Sequence, residues 1–153
     1  MQQQSLVPIN QLAQQVITSF AGKFEAKQIR IDADMESVNA SVDRQAIHQA
    51  VSRMIENAID SMPSGGKINL TLIDGPHHWE LEVADSVGEI YGQQWKTEVD
   101  SNDASHAENL KRIEPENPRL DAVRVAAQQH GGQVQSWLCP QGGTAHVLVI
   151  PRR

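Results

Sequence analysis

The stretch IHQAVSRMIENAIDSMPSGG, residues 47–66, predicts the central helix of this chain and the turn that ends it. Apolar residues recur in it at the three- and four-residue spacing of a helix with one buried face. They are Ile47, Val51, Met54, Ile55, Ala58 and Met62. Asn57 falls on a margin of that apolar stripe, and Arg53 lies one turn before it. Asp43 is a suitable N-cap, and the Pro-Ser-Gly-Gly sequence at 63–66 stops the helix.

Two strands are predicted directly after this helix. KINLTLI (67–73) and HWELEVAD (78–85) alternate apolar with polar residues, and an Asp-Gly-Pro turn joins them into an antiparallel hairpin. The alternation puts Asp85 on the face that carries the apolar residues of its strand. A buried carboxylate needs a partner, from the protein or from a ligand. Asp85 is therefore a candidate binding residue.

The residues before the central helix predict one more helix and two strands. Apolar residues at a four-residue spacing indicate a single helix over 9–27. The alternating segment QIRIDAD, 28–34, indicates a strand, and a short strand around 39–42 is expected to pair with it. The first eight residues are expected to form an N-terminal tail, so that the domain covers 9–153.

After the hairpin the periodic pattern stops and then returns. Residues 86–117 lack periodicity and are rich in acids, which predicts a long, lid-like, mobile loop. Residues 118–132 predict a helix ended by two glycines, and 133–138 and 144–150 predict two final strands. This order predicts an α+β fold, a two-layer α/β sandwich whose mixed sheet is covered on one face by three helices.

Composition excludes several classes of function. The chain has 153 residues, of which 39% are hydrophobic, enough for one domain with a core. Its net charge of −6 argues against non-specific nucleic-acid binding. No apolar run approaches the length of a membrane span, so no membrane contact is expected of this domain. The absence of a signal-peptide pattern and the single cysteine suit a cytoplasmic location.

Four segments resemble the catalytic, ATP-binding domain of bacterial sensor histidine kinases, in the GHKL (Bergerat-fold) superfamily. IENAIDSMPSGGKINLTL resembles the N-box, and VADSVGEI falls where the family has its first glycine box, Asp-x-Gly-x-Gly. LDAVRVAAQQHGG resembles the helix after the second glycine box, and GGTAHVLVIP resembles the closing strand. The likeness covers most of the chain and implies the fold of that family.

The resemblance implies a site for ATP and Mg²⁺. Asn57 matches the asparagine that ligates the Mg²⁺ bridging the ATP phosphates, and an amide oxygen is a hard ligand suited to that ion. Asp85 matches the aspartate that accepts a hydrogen bond from the adenine amino group. A buried acceptor there selects adenine over guanine, because guanine presents no amino group at that position.

The chain departs from the family pattern on the phosphate side of that site. Arg53 replaces a second asparagine, so it either meets a phosphate or plugs the site. Val87 and Glu89 replace the glycines of the first box, and Gly88, displaced by one position, is kept as a candidate binding residue. The second box would fall on 115–119, where two prolines remove N–H donors and a glutamate repels phosphate.

These departures predict a degenerate nucleotide site, in which ATP binding is weak or lost. The favoured function is the ATP-binding domain of a two-component sensor histidine kinase-like signalling protein, with the character of a pseudokinase. No residue is assigned as catalytic. No phosphoacceptor-histidine segment precedes residue 9, so the expected partners are a histidine-phosphotransfer or dimerisation domain, or a response regulator.

Two other functions stay open. The first is a non-catalytic module of the same fold that docks on a response regulator or a partner kinase, for which Arg53 and the acidic residues of 93–117 argue. The second is a serine kinase of the anti-sigma-factor type in the same superfamily. The loss of the second glycine box argues against serine kinase activity as much as it does against histidine kinase activity.

Overall fold

The computed structural model describes residues 4–62, 64–85, 118–138 and 143–152, and these contain a five-stranded mixed sheet in the order β2-β4-β5-β7-β6. Strands β2 and β4 are parallel, and the other neighbours are antiparallel. The elements are β1 (Gln4–Pro8), α1 (Ile9–Ser19), α2 (Ala21–Ala26), β2 (Arg30–Met35), β3 (Asn39–Asp43), α3 (Arg44–Asp60), β4 (Lys67–Asp74), β5 (His78–Asp85), a 3₁₀ turn (Pro118–Leu120), α4 (Asp121–Gln129), β6 (Gln133–Leu138) and β7 (Thr144–Pro151).

One face of this sheet packs against α1, α3 and α4. The strand register aligns alternate residues across β4, β5 and β7, so their apolar side chains share that face. The buried ones are Ile68, Leu70, Leu72, Trp79, Leu81, Val83, Leu148 and Ile150. They join one core with the apolar residues of the helices, which confirms the predicted two-layer α+β sandwich. Among the described helices, none is long and apolar enough to cross a membrane.

The central helix α3 is fixed at both ends. At its start, the Asp43 carboxylate accepts a hydrogen bond from the backbone N–H of Ala46 at 3.2 Å, which confirms the predicted N-cap. At its end, the Lys27 ammonium donates to the carbonyl oxygens of Ile59 and Met62, at 2.9 and 3.0 Å. A cation on these carbonyls complements the helix dipole. Both contacts hold the helix that carries Asn57 in one position.

The predicted single helix over 9–27 is wrong, because the chain turns at Phe20. This residue has a φ of −100° and a ψ of 7°, outside the helical range, and it separates α1 from α2. The turn buries Phe24 in the core while Phe20 stays only half-buried. Ser19 and Gly22, both weak helix formers, flank the break.

The predicted pairing of the strand around 39–42 with the strand before it is also wrong. β3 pairs with β1, in the segment expected to be a tail, and β2 pairs with β4. The cause lies in the connection: the N–H of Glu36 donates to Leu72 O, and Val38 bonds to Asn10 and Ile9 of α1. These bonds take the chain away from β2 and across to the start of α1.

His130 links the end of α4 to the start of α3. Its side chain is 2% exposed, and its Nε2 accepts a hydrogen bond from the Asp43 N–H at 3.0 Å. Its Nδ1 donates to the carbonyl of Ala126 at 2.7 Å. Both ring nitrogens are thus used inside the core, so the His-Gly-Gly ending serves the packing of two helices.

We expect His130→Phe to destabilise the protein by about 1–3 kcal/mol, because an aromatic ring of similar size leaves the Asp43 N–H unsatisfied. Urea unfolding followed by circular dichroism measures the change. The matched control is His48→Phe, on the exposed side of α3, for which we expect a change within about 0.5 kcal/mol. Equal effects of the two substitutions would contradict a role for the buried hydrogen bonds.

Candidate functional site

Asp85 ends β5 on the inner face of the sheet and is 4% exposed, which confirms its predicted inward direction. Its Oδ2 accepts a hydrogen bond from the Thr144 hydroxyl at 3.1 Å. It also lies 3.3 Å from the Ser61 hydroxyl, whose one hydrogen is shared between Asp85 and the Ala58 carbonyl at 3.1 Å. Oδ1 of Asp85 accepts a hydrogen bond from the backbone N–H of Thr144 at 3.3 Å. Ser61 is the C-cap of α3 and Thr144 begins β7, so three elements converge on this carboxylate.

Among the contacts that the described residues make, one acceptor position of the Asp85 carboxylate is not used. Burial raises the pKa of Asp85 above its ordinary value, while the hydrogen bonds from Thr144 and Ser61 act in the opposite direction. A carboxylate offers about four acceptor positions. The described residues use two on Oδ2 and one on Oδ1. The remaining position on Oδ1 suits an N–H donor of a ligand.

Gly143 allows β7 to approach Asp85 this closely. Its φ is +89°, a conformation that favours glycine, and a Cβ atom there would lie 1.8 Å from the Asp85 carbonyl oxygen. Any side chain at this position would push the backbone of Thr144 away from the carboxylate. A glycine at residue 143 is therefore required for the contacts between Thr144 and Asp85.

Asn57 is buried, 6% exposed, and does not lie on an open margin of its helix. Its Nδ2 lies 3.4 Å from Nε2 of His146, and Nδ1 of His146 lies 2.7 Å from the Ser136 hydroxyl. His146 and Ser136 face each other in the register of β6 and β7. Burial, and then the charge of Arg124, lowers the pKa of His146, so the ring is neutral at pH 7.

Asn57 and Asp85 have neighbouring contacts at one end of the sheet. The N–H of Ser61 donates to the carbonyl of Asn57 at 3.0 Å, and the Ser61 hydroxyl reaches Asp85. Thr144 contacts Asp85 two residues before His146, which contacts Asn57. The structure thus brings Asn57 and Asp85 to one place through Ser61 and β7.

Sequence reasoning missed four residues of this cluster, which are Ser61, Ser136, Thr144 and His146. A signal for two of them was available. Alternation along TAHVLVI puts Thr144 and His146 on the face of the buried Leu148, by the same argument that placed Asp85. Ser61 and Ser136 gave no comparable signal, because a serine is ordinary both after a helix and in a strand.

The remaining predicted site residues are not part of the described cluster. The Arg53 side chain is half exposed, and its Nη1 donates to Glu56 at 3.2 Å. Gly88 and the rest of the predicted loop 86–117 lie outside the described residues. Of the segment 115–119, Pro118 and Arg119 are described, and Arg119 forms an ion pair with Asp60 of α3.

Two sensor proteins of established function match parts of the sequence. The adaptive-response sensory kinase SasA of Synechococcus sp. (strain JA-3-3Ab) is 27% identical over 139 residues, which are 88% of this chain and 32% of that protein. The heme sensor protein HssS of Staphylococcus aureus (strain Newman) is 33% identical over 66 residues, 43% of this chain and 14% of that protein. The chain thus spans at most about a third of these relatives. No family model matches it.

Solved histidine kinase domains share the fold of this chain. The catalytic domain of histidine kinase ThkA matches with a TM-score of 0.76 at 20% identity, over 98% of this chain and 96% of that one. The mycobacterial sensor histidine kinase MprB matches with a TM-score of 0.71 at 20% identity, over 99% of both chains. The chain has the fold of these histidine kinase catalytic domains, which confirms the fold that the resemblance implied.

We expect Asp85→Asn to stabilise the protein increasingly as the pH rises above 3.8, the ordinary pKa of an aspartate. Because the folded-state pKa of Asp85 is raised, its contribution to stability is present below the ordinary value of 3.8 and is lost as the pH rises through the folded value. The asparagine variant does not ionise and escapes that loss. Thermal unfolding of both proteins across this pH range measures the difference.

Asp32→Asn is the matched control, because Asp32 is exposed and the hydrogen bond from Lys67 lowers its pKa. That variant is expected to gain no stability at neutral pH, since a lowered pKa stabilises the folded state above the ordinary value. A Tm difference between wild type and Asp85→Asn that does not depend on pH would contradict the burial of an ionisable group at residue 85.

Proposed function

We propose that this chain is the ATP-binding domain of a histidine kinase-like signalling protein of two-component type. The observation that carries the proposal is the buried Asp85 carboxylate, which three donors hold in place and which retains one acceptor position. An adenine amino group is a donor that fits this position. Guanine carries a carbonyl oxygen at the equivalent atom, and two acceptors facing each other repel.

Asn57 is the residue proposed to hold Mg²⁺ with the ATP phosphates. Mg²⁺ binds through a few protein oxygens together with substrate phosphates and keeps several waters. The single amide of Asn57, beside the proposed adenine position, therefore suits this ion. The Lys27 contacts hold the end of α3, the helix that carries this amide, in place. Bound Mg·ATP would supply the phosphoryl group, and this chain's own residues bind and orient it.

The phosphate side of the site supports only weak affinity. Two prolines and a glutamate stand among 115–119, at the positions of the second glycine box. Pro118 lacks an N–H donor for a phosphate, and the guanidinium of Arg119 is paired with Asp60. We therefore expect the adenine contact to contribute most of the binding free energy.

Calorimetric titration with Mg·ATP tests the proposal. We expect a weak interaction, with a dissociation constant near the millimolar range, that Asp85→Asn weakens about tenfold or more, since a hydrogen bond to a charged group is worth about 1.5–3 kcal/mol. Asn57→Ala should weaken binding only when Mg²⁺ is present. Asp32→Asn, on the exposed edge strand, should leave it unchanged.

Titration with Mg·GTP is the control for base recognition. Because Asp85 only accepts hydrogen bonds, GTP should give no measurable heat under the conditions in which ATP binds. Equal binding of the two nucleotides, or ATP binding that Asp85→Asn leaves unchanged, would overturn the proposed role of the carboxylate. Micromolar affinity for ATP would show that the substitutions at 115–119 do not damage the site.

The partner is proposed to be a response regulator, or the histidine-phosphotransfer or dimerisation domain that would receive the phosphoryl group. One solved structure of the same fold holds histidine kinase ThkA in complex with the response regulator protein TrrA, and it covers 98% of this chain at 19% identity. That complex also favours the second candidate function, a docking module of this fold without phosphoryl transfer.

A pull-down with a purified receiver domain, with and without Mg·ATP, separates these two functions. A nucleotide-dependent domain should bind the receiver differently when ATP is present, and Asp85→Asn should remove that difference. A docking module should bind the receiver equally as wild type and as Asp85→Asn, each with and without Mg·ATP. No binding of any receiver domain would count against the docking module and leave the ATP titration to decide the first function.

A further inference from the structure

Three polar side chains form a continuous contact chain within the core of the domain. Ser136, His146 and Asn57 are 9%, 5% and 6% exposed, and they lie on β6, β7 and α3 respectively. The distances are 2.7 Å from the Ser136 hydroxyl to Nδ1 of His146, and 3.4 Å from Nε2 to Nδ2 of Asn57. A buried imidazole is costly unless its nitrogens are bonded, and these two contacts satisfy both of them.

The placement of the Asn57 amide, with its nitrogen toward the ring, determines the tautomer of His146. A neutral imidazole has one N–H and one acceptor nitrogen, and a serine hydroxyl can donate or accept. The side-chain NH₂ of Asn57 only donates, so Nε2 of His146 must carry the lone pair. The hydrogen is then on Nδ1 and is donated to Ser136.

This contact couples the tautomer of His146 to the orientation of the Asn57 amide. An asparagine amide can rotate by half a turn and exchange its oxygen and nitrogen positions with little change in shape. An acceptor at Nε2 holds the NH₂ group toward β7, so the amide oxygen is the atom directed away from His146. A hydrogen-bond donor at residue 146 would favour the opposite orientation.

We propose that His146 is a positioning residue that presents the oxygen of Asn57, and not its NH₂ group, to the cation of a Mg·nucleotide. This inference rests on the proposed function, because it gives a role to the partner of the proposed metal ligand. Residues that orient a metal ligand through a hydrogen bond typically contribute 10–100-fold to metal affinity. Ser136 acts one step further out, by holding the Nδ1–H of the ring.

The test measures how much Mg²⁺ enhances ATP binding, as the ratio of dissociation constants in EDTA and in Mg²⁺. His146→Phe keeps an aromatic ring of similar size but removes the acceptor, and it should reduce this enhancement about tenfold or more. The ratio divides out a general loss of binding. His146→Gln carries an acceptor oxygen and should restore part of the enhancement, whereas His48→Phe, exposed on α3, should not change it.

A second readout needs no nucleotide. The ¹⁵N chemical shifts of the His146 ring should show a protonated Nδ1 and an unprotonated Nε2, and Ser136→Ala should increase the share of the other tautomer. An Nε2-protonated ring in the wild-type protein would overturn the inference. An unchanged Mg²⁺ enhancement in His146→Phe would also overturn the inference, but it would not contradict the proposed function. If the wild type binds no ATP at all, the proposed function fails and the inference fails with it.

Discussion

The burial of the Asp85 carboxylate is the constraint on which the arrangement of this end of the sheet depends. Removing a carboxylate from water costs several kcal/mol unless donors replace the solvent. Here the donors come from the end of α3 and from the start of β7, which are 24 and 59 residues away in sequence. The last turn of the helix, the end of β5 and the turn at Gly143 must therefore meet at one point. The close approach at Gly143 follows from the same requirement.

The inner face of the sheet is divided between packing and polar chemistry along its length. At one end Trp79, Leu72 and Ile150 pack in an apolar layer, with no buried charge on the strands there. At the other end the same alternation places Asp85, Thr144 and His146 toward the helices. Helix α3 spans both regions, so its apolar stripe serves the core while its last two turns carry Asn57 and Ser61. One periodic pattern thus encodes both the stability of the domain and the location of its polar cluster.

Local periodicity explains which features could be predicted from the sequence. Helix α3 with its Asp43 cap, the hairpin of β4 and β5, and the inward direction of Asp85 all follow from residues close together in the chain. The partner of β3 did not follow, because bonds from Glu36 to β4 and from Val38 to α1 decide it. His146 was missed for a related reason. Alternation along its strand indicates that the side chain points inward, but its contacts with Asn57 and Ser136 depend on how β7 packs beside α3 and β6. The roles of Asn57 and Asp85 in binding remain predictions.

The ion pair between Arg119 and Asp60 connects the 3₁₀ turn before α4 to the helix that holds Asn57. In the resemblance to histidine kinases, Arg119 matches the last glycine of the second box, and Asp60 follows Asn57 by three residues on α3. Both side chains are partly exposed, at 52% and 38%, and an exposed pair of this kind contributes only about 0–1 kcal/mol. A triphosphate carries several negative charges, so it competes with Asp60 for the guanidinium at small cost. If the second box falls on 115–119, as the resemblance implies, Arg119 replaces a close backbone approach with a cation that an anionic ligand would recruit. For this reason the absence of glycines at 115–119 does not by itself decide whether phosphate binds, because the positive charge of Arg119 also contributes.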